Sequence, residues 1–480
     1  MWPGLAVLLP FLANFPISPA NAIDNLRVAF QWKQVEYAWP DNDTRLLFPA
    51  YKKEDNVPLG LEVAGDRLFI TVPRWKLGVA ASLNYISLND TRESPPLNPY
   101  PSWAAHQYGA FGIPEVVSTF RIRADRCGRL WVLDTGLVDI LTEPEQQAPP
   151  ALIVYDLAND QIIRKYVIPA DQRTTDSLFA NIVVEDYSCE DSFAYLGDLG
   201  GPGLVVYSWK ENRSWLVKHH FFHPDPQGGE FLVAGVTFHW TDGIFGMALA
   251  PTGDGYSTLY FHPLSSTMEF AVSTQLLRDP DRSTSPKSFH EFQALGSRGP
   301  NGQSSVSFLD PATGILIYAL TNLNAIACWK TGTTYNIQQQ GRVYMNNVTM
   351  VFPNDLKIDQ NGNIWVLSDR LPVFMYSELN PEEYNFRILT GSAREAVQGT
   401  VCSMKPAVVD QSSPSPNIQK MPVPVLTNRA TGNAAGAGAG VATGGSAGAG
   451  SGTLKSSAGT EAVNVPLISF LGLIIAQLAA

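Results

Sequence analysis

Seven side chains in this sequence have the types and positions to hold a small aromatic amine: Phe179, Asn181, Phe352, Asn354, Asp134, Asp198 and Asp369. The first four come from two similar phrases, "FAN" (Phe179 to Asn181) and "FPND" (Phe352 to Asp355). The three aspartates each close an apolar run. Rings stack on rings and cations, amides orient a ligand, and a carboxylate faces an ammonium. Asn and Asp also cap loops and bond backbone in turns. It is therefore the set, more than any one member, that marks a candidate ligand site.

Other motifs lead nowhere. "GGSAG", from Gly444 to Gly448, has the spacing of a serine nucleophile but follows no strand. "HHFFH" places His219 and His223 four residues apart, yet the stretch ends a strand-like run and runs into "PDP". A metal pair at that spacing needs a helix, so no metal is expected. "GPNGQ" and "PTGDGYS" are Gly-rich turns without the strand-to-helix setting of a phosphate cradle. No cofactor is expected, and no general base with an orienting partner stands out.

The elements that must position the seven residues announce themselves by repetition. "RADRCGRLWVLDTG" (Arg123 to Gly136) returns as "KIDQNGNIWVLSDR" (Lys357 to Arg370). Each is a turn followed by an apolar strand. Equivalent phrases centre on Phe69, Trp131, Ala194, Phe245, Leu316 and Trp365, roughly 50–70 residues apart. A second strand follows each, marked by Tyr85, Tyr155, Tyr207, Tyr260, Trp329 and Tyr376. A further strand precedes each, as in "STFRIRAD" and "ANIVVED". Gly128, Gly243, Gly314 and Gly362 stand where tight hairpin turns are needed. The pattern predicts an all-β chain: a six-bladed β-propeller with four antiparallel strands per blade. In that fold the starts of the innermost strands and the ends of the second strands share one face. The seven residues then gather at one mouth of the central channel. Asn354 and Asp369 are expected to lie there outside the blade core.

Composition agrees. The 480 residues include 39 Gly, 35 Pro, 11 Trp, 17 Tyr and 23 Phe, favouring turns and aromatic strands over helices. With 33 basic against 44 acidic residues the net charge is −11, which argues against a nucleic-acid partner. Residues 1–22 read as a signal peptide, with the apolar run Leu5 to Phe15 and small residues at Ala20 to Ala22. Asn42, Asn89, Asn212 and Asn347 begin glycosylation sequons. The propeller is expected over residues 23–405. Residues 406–464 form a Pro-rich, then Gly/Ala/Ser-rich stalk, and residues 465–480 are an apolar tail with the order of parts of a glycolipid-anchor signal. The membrane would be met only through that anchor, the location would be extracellular, and a monomer is expected.

Four cysteines in an oxidising compartment imply two disulfides, with three possible connectivities. Cys127 and Cys189 both precede the second strand of adjacent blades, so pairing them would join blades two and three. Cys328 with Cys402 would then tie blade five to the end of the propeller.

Long phrases across the chain carry a resemblance. "NVPLGLEVAGDRLFITVPRWKLGVAASLNYI", "RIRADRCGRLWVLDTG", "DGIFGMALAP", "LGSRGPNGQSS", "NAIACW" and "VFPNDLKIDQNGNIWVLSDRLPVF" resemble the insect Yellow and major royal jelly protein family, its Yellow branch most closely. The resemblance spans Leu26 to about Cys402. It lacks a further cysteine pair usual in the family: the corresponding regions read "AAHQYGAFG" and "EQQAPPALI". It implies a six-bladed propeller acting in cuticle pigmentation and melanin formation, with a catecholamine or related aromatic amine as ligand. Dopachrome isomerisation is the alternative it implies if the protein is an enzyme, and a structural or storage role is the third.

Overall fold

The computed structural model describes residues 25–108 and 112–403. The expectations for residues 1–22 and 406–480 lie outside the described residues. Six four-stranded antiparallel sheets surround one axis. From the innermost strand outward, blade one is Gly60–Ala64, Arg67–Thr71, Leu83–Ser87 and Asn98–Pro99. Blade two is Thr119–Ala124, Arg129–Asp134, Ala151–Asp156 and Gln161–Val167. Blade three is Phe179–Glu185, Phe193–Asp198, Gly203–Ser208 and Arg213–Val217. Blade four is Ile244–Pro251, Ser257–Pro263, Met268–Ser273 and Gln293–Ser297. Blade five is Ser307–Asp310, Ile315–Leu320, Ala325–Lys330 and Gln340–Met345. Blade six takes Pro353–Ile358, Asn363–Ser368 and Phe386–Ser392 from the end of the described chain, and its outermost strand, Arg27–Trp32, from the start. That exchange closes the ring with main-chain hydrogen bonds.

Sequence pattern follows position in the blade. The second strands Arg129–Asp134 and Ile315–Leu320 are buried at every residue, because neighbouring blades cover both faces, and so they read as unbroken apolar runs. The outermost strand Gln161–Val167 alternates between exposed and half-buried residues, as one solvated face requires.

The repeated phrase also has a physical cause. Asp125 accepts from the backbone N–H of Cys127 and Arg129 with one oxygen and from the Trp131 indole (2.7 Å) with the other. Asp359 does the same with Asn361, Asn363 and the Trp365 indole (2.9 Å). Gly128 and Gly362 take φ of 73° and 78° in these turns, a region that disfavours side chains.

Two details differ from the sequence reading. In blade four, Phe245 lies in the innermost strand and Tyr260 in the second, each one strand nearer the axis than expected. Gly243 accordingly precedes that strand, and the hairpin turn instead uses Gly253 and Gly255 at positive φ. In blade six, Tyr376 ends a short helix, Leu371–Tyr376, which begins with Pro372 in its first turn. The third strand comes later, at Phe386–Ser392.

Both disulfides form as paired from the sequence. Cys127–Cys189 joins the turns of blades two and three, and Cys328–Cys402 ties blade five to the segment after the last strand. The sequon residues Asn42, Asn89, Asn212 and Asn347 are all exposed. Among the described residues no helix is long and apolar enough to cross a membrane.

Candidate functional site

The two mouths of the propeller differ sharply. At the mouth where the innermost strands start, the seven residues singled out from the sequence are all buried, none more than 3% exposed. Phe352, one of the seven, joins Trp75, Phe231, Phe238, Trp240 and Phe374 from the loops at this end in one buried apolar cluster, a plug over the other six. Phe231 and Phe238 come from a two-stranded hairpin, Glu230–Val233 with Val236–His239, that belongs to no blade. The Trp240 indole donates to the Tyr376 hydroxyl (2.7 Å) and fixes the hairpin to the helix of blade six.

Beneath the plug the other six residues divide by role. Asp134 accepts from the backbone N–H of Val117, Ser118 and Gly136 at 2.8–3.0 Å. Asp198 accepts from the N–H of Leu178 and Gly201 and from the Ser177 hydroxyl. Each fastens the start of its blade's innermost strand to the end of the second. Burial pushes the Asp198 carboxyl up to about 6, with those hydrogen bonds pulling it down. Phe179 packs between blades two and three with Trp131 and Leu133. Asn181 donates to the Phe245 carbonyl (2.6 Å) and so links blades three and four.

Only Asn354 and Asp369 meet side chain to side chain. The Asn354 amide donates to Asp369 Oδ2 (2.8 Å), and its oxygen accepts from Arg121 (2.9 Å). The expectation that these two stand outside the blade core is corrected here: both belong to a buried polar network at the axis. Arg121 also pairs with Asp355, which accepts from the Lys357 ammonium (2.6 Å) and the Leu61 N–H (2.9 Å). Burial works to raise the Asp355 carboxyl, but the charges of Arg121 and Lys357 override it and hold it below its ordinary value. The chain signals this network in "RIRAD", two arginines alternating along an innermost strand.

Asp369 titrates differently. Burial pushes its carboxyl from 3.8 up to about 8, against the pull of the Leu371 N–H and the Asn354 amide. Between about pH 4 and pH 8 the folded protein keeps a proton that the unfolded chain has released. The stability this proton contributes is full below about pH 4 and is lost as pH rises through 8. The melting temperature of the parent minus that of Asp369→Asn should fall steadily across that window. Asp198 titrates in both proteins and cancels from the difference. A difference independent of pH would show that Asp369 is ionised throughout.

The opposite mouth, where the innermost strands end, is open. A cavity of about 290 Å³ lies between the strand ends of blades two to five. Its walls are apolar, with Val183, Met247, Leu249 and Phe308 among them, and its rim carries Arg123, Arg126, Glu185 and Asp186. Arg126 clamps Asp186 through its backbone N–H (2.6 Å) and guanidinium (3.1 Å), beside the Cys127–Cys189 bridge. The sequence reading missed these wall residues, because Val, Met and Leu at the end of a strand look like core. Asp125, Cys127 and Asp186 bring three ligand-type atoms together nearby, but the sulfur is spent in the disulfide and Asp186 on Arg126.

Comparison with known proteins gives a consistent picture. The family model described as Major royal jelly protein matches residues 117–402. Protein yellow of Drosophila subobscura is 42% identical over 411 residues, covering 84% of this chain and 71% of that one. Protein yellow of Drosophila melanogaster is 42% identical over 397 residues, covering 81% and 73% respectively.

Proposed function

The chain belongs to the Yellow and major royal jelly protein family, and from that membership we propose that it serves cuticle pigmentation by holding a catecholamine-type melanin precursor. The binding place is the strand-end mouth. One observation carries this location: the cavity between blades two and five has apolar walls, an aromatic ring at Phe308, and arginine and carboxylate side chains at its rim. A one-ring ligand with a charged tail needs that combination of wall and rim. The polar residues of the other mouth are buried and already hydrogen-bonded within the protein. The two disulfides suit an extracellular protein.

Calorimetric titration of the purified protein with dopamine and with L-dopa tests the reading. At least one should bind, and Phe308→Ala should weaken it roughly 2- to 12-fold, the range of an aromatic pair. Phe308 is only half-buried, so the fold should tolerate the change. Absence of binding by either compound, or binding indifferent to Phe308→Ala, would contradict the proposal.

A further inference from the structure

The rim charges of the cavity are not equally available. Glu185 accepts from the Tyr195 hydroxyl (2.7 Å) and the Thr274 hydroxyl (2.8 Å), one on each oxygen. Both Asp186 oxygens are engaged by Arg126. Each oxygen of the two carboxylates thus already accepts from a protein donor. Arg123 has not spent its donors. One of its terminal nitrogens donates to Glu62 (3.0 Å), and its other guanidinium N–H groups have no protein partner among the described residues. Its side chain is 25% exposed, and it lines the cavity with its guanidinium 4.8 Å from the centre of the Phe308 ring.

A guanidinium with free N–H groups beside an aromatic ring offers a carboxylate a charge-assisted contact while the ligand's own ring meets Phe308. An ammonium entering the same cavity meets carboxylates that already hold a protein donor on each oxygen and must share them. We infer that the cavity selects aromatic carboxylates, aromatic amino acids included, over the corresponding decarboxylated amines, with Arg123 as the residue that sets this preference. The inference rests on the cavity being the ligand site.

Three probes separate the contributions: L-dopa, dopamine and 3-(3,4-dihydroxyphenyl)propionate, titrated into the full-length protein. The two carboxylates should bind about 10- to 100-fold more tightly than dopamine, the range of one hydrogen bond to a charged group. Arg123→Leu should erase that difference, chiefly by weakening the two acids. Arg123→Lys, which keeps the charge beside Glu62, should keep part of the difference. Dopamine binding as tightly as the two acids, or a preference for the acids that survives Arg123→Leu, overturns the inference while leaving the cavity as the site. Should Arg123→Leu fail to fold, the ranking of the three probes on the parent decides alone. If none of the three binds, the ligand site itself is wrong and this inference falls with it.

Discussion

Replacing Asp355 with alanine lowers the stability of the propeller by about 3–5 kcal/mol, the cost of removing one partner from a buried ion pair. Asp355 is fully buried and stands in the innermost strand of blade six, where the ring closes onto blade one. It accepts from Arg121 of blade two, from Lys357 of its own strand and from the Leu61 N–H of blade one. Alanine leaves two enclosed cations facing each other and an unpartnered amide. The loss therefore exceeds that of a single neutral hydrogen bond, about 1 kcal/mol. Urea unfolding of the parent and Asp355→Ala, followed by tryptophan fluorescence, reads the difference directly. A shift below 1 kcal/mol would mean that water reaches the axis and screens the network.

Removing the bridge between blades two and three should cost a similar amount. Cys127 and Cys189 are separated by 62 positions, and opening a loop of that length releases chain entropy worth roughly 4 kcal/mol on the loop-closure estimate. The double change Cys127→Ser with Cys189→Ser should also loosen the Arg126–Asp186 clamp beside it, and so weaken binding at the cavity. Thermal melting together with ligand titration checks both parts. An unchanged melting temperature would show that blade packing alone holds this seam.

The fold was legible because propeller blades repeat a physical device. An aspartate that caps a turn and also receives a tryptophan indole, as Asp125 and Asp359 do, leaves the phrase D-x-x-G-x-x-W in the sequence. Blade four shifted the strand assignment by one because its innermost strand, Ile244–Pro251, is itself an apolar run after a glycine, so it imitates a second strand. Tyr376 misled because an aromatic near the expected spacing can end a helical turn as readily as mark a strand.

The site was less legible, for a reason that lies in the carboxylates themselves. An aspartate at the end of a second strand has the same letter whether it faces a ligand or, like Asp134, three backbone amides. Nothing local in "FPND" tells that Asn354 is locked between Arg121 and Asp369. The plug that encloses this mouth is assembled from Trp75, Trp240 and Phe374, which lie in connections far apart in the chain. The open cavity is equally non-local, since Val183, Met247 and Phe308 become neighbours only when three blades converge.

On the proposed function, ligand enters the strand-end mouth and not the plugged one, and a crystal structure of the protein grown with L-dopa distinguishes the two. Density for the ring is expected between Phe308, Met247 and Val183, with the carboxylate on Arg123 and the plug of Trp240 and Phe352 in place. Density between Asn181, Asn354 and Asp369, with the hairpin at Glu230–His239 displaced, would contradict it.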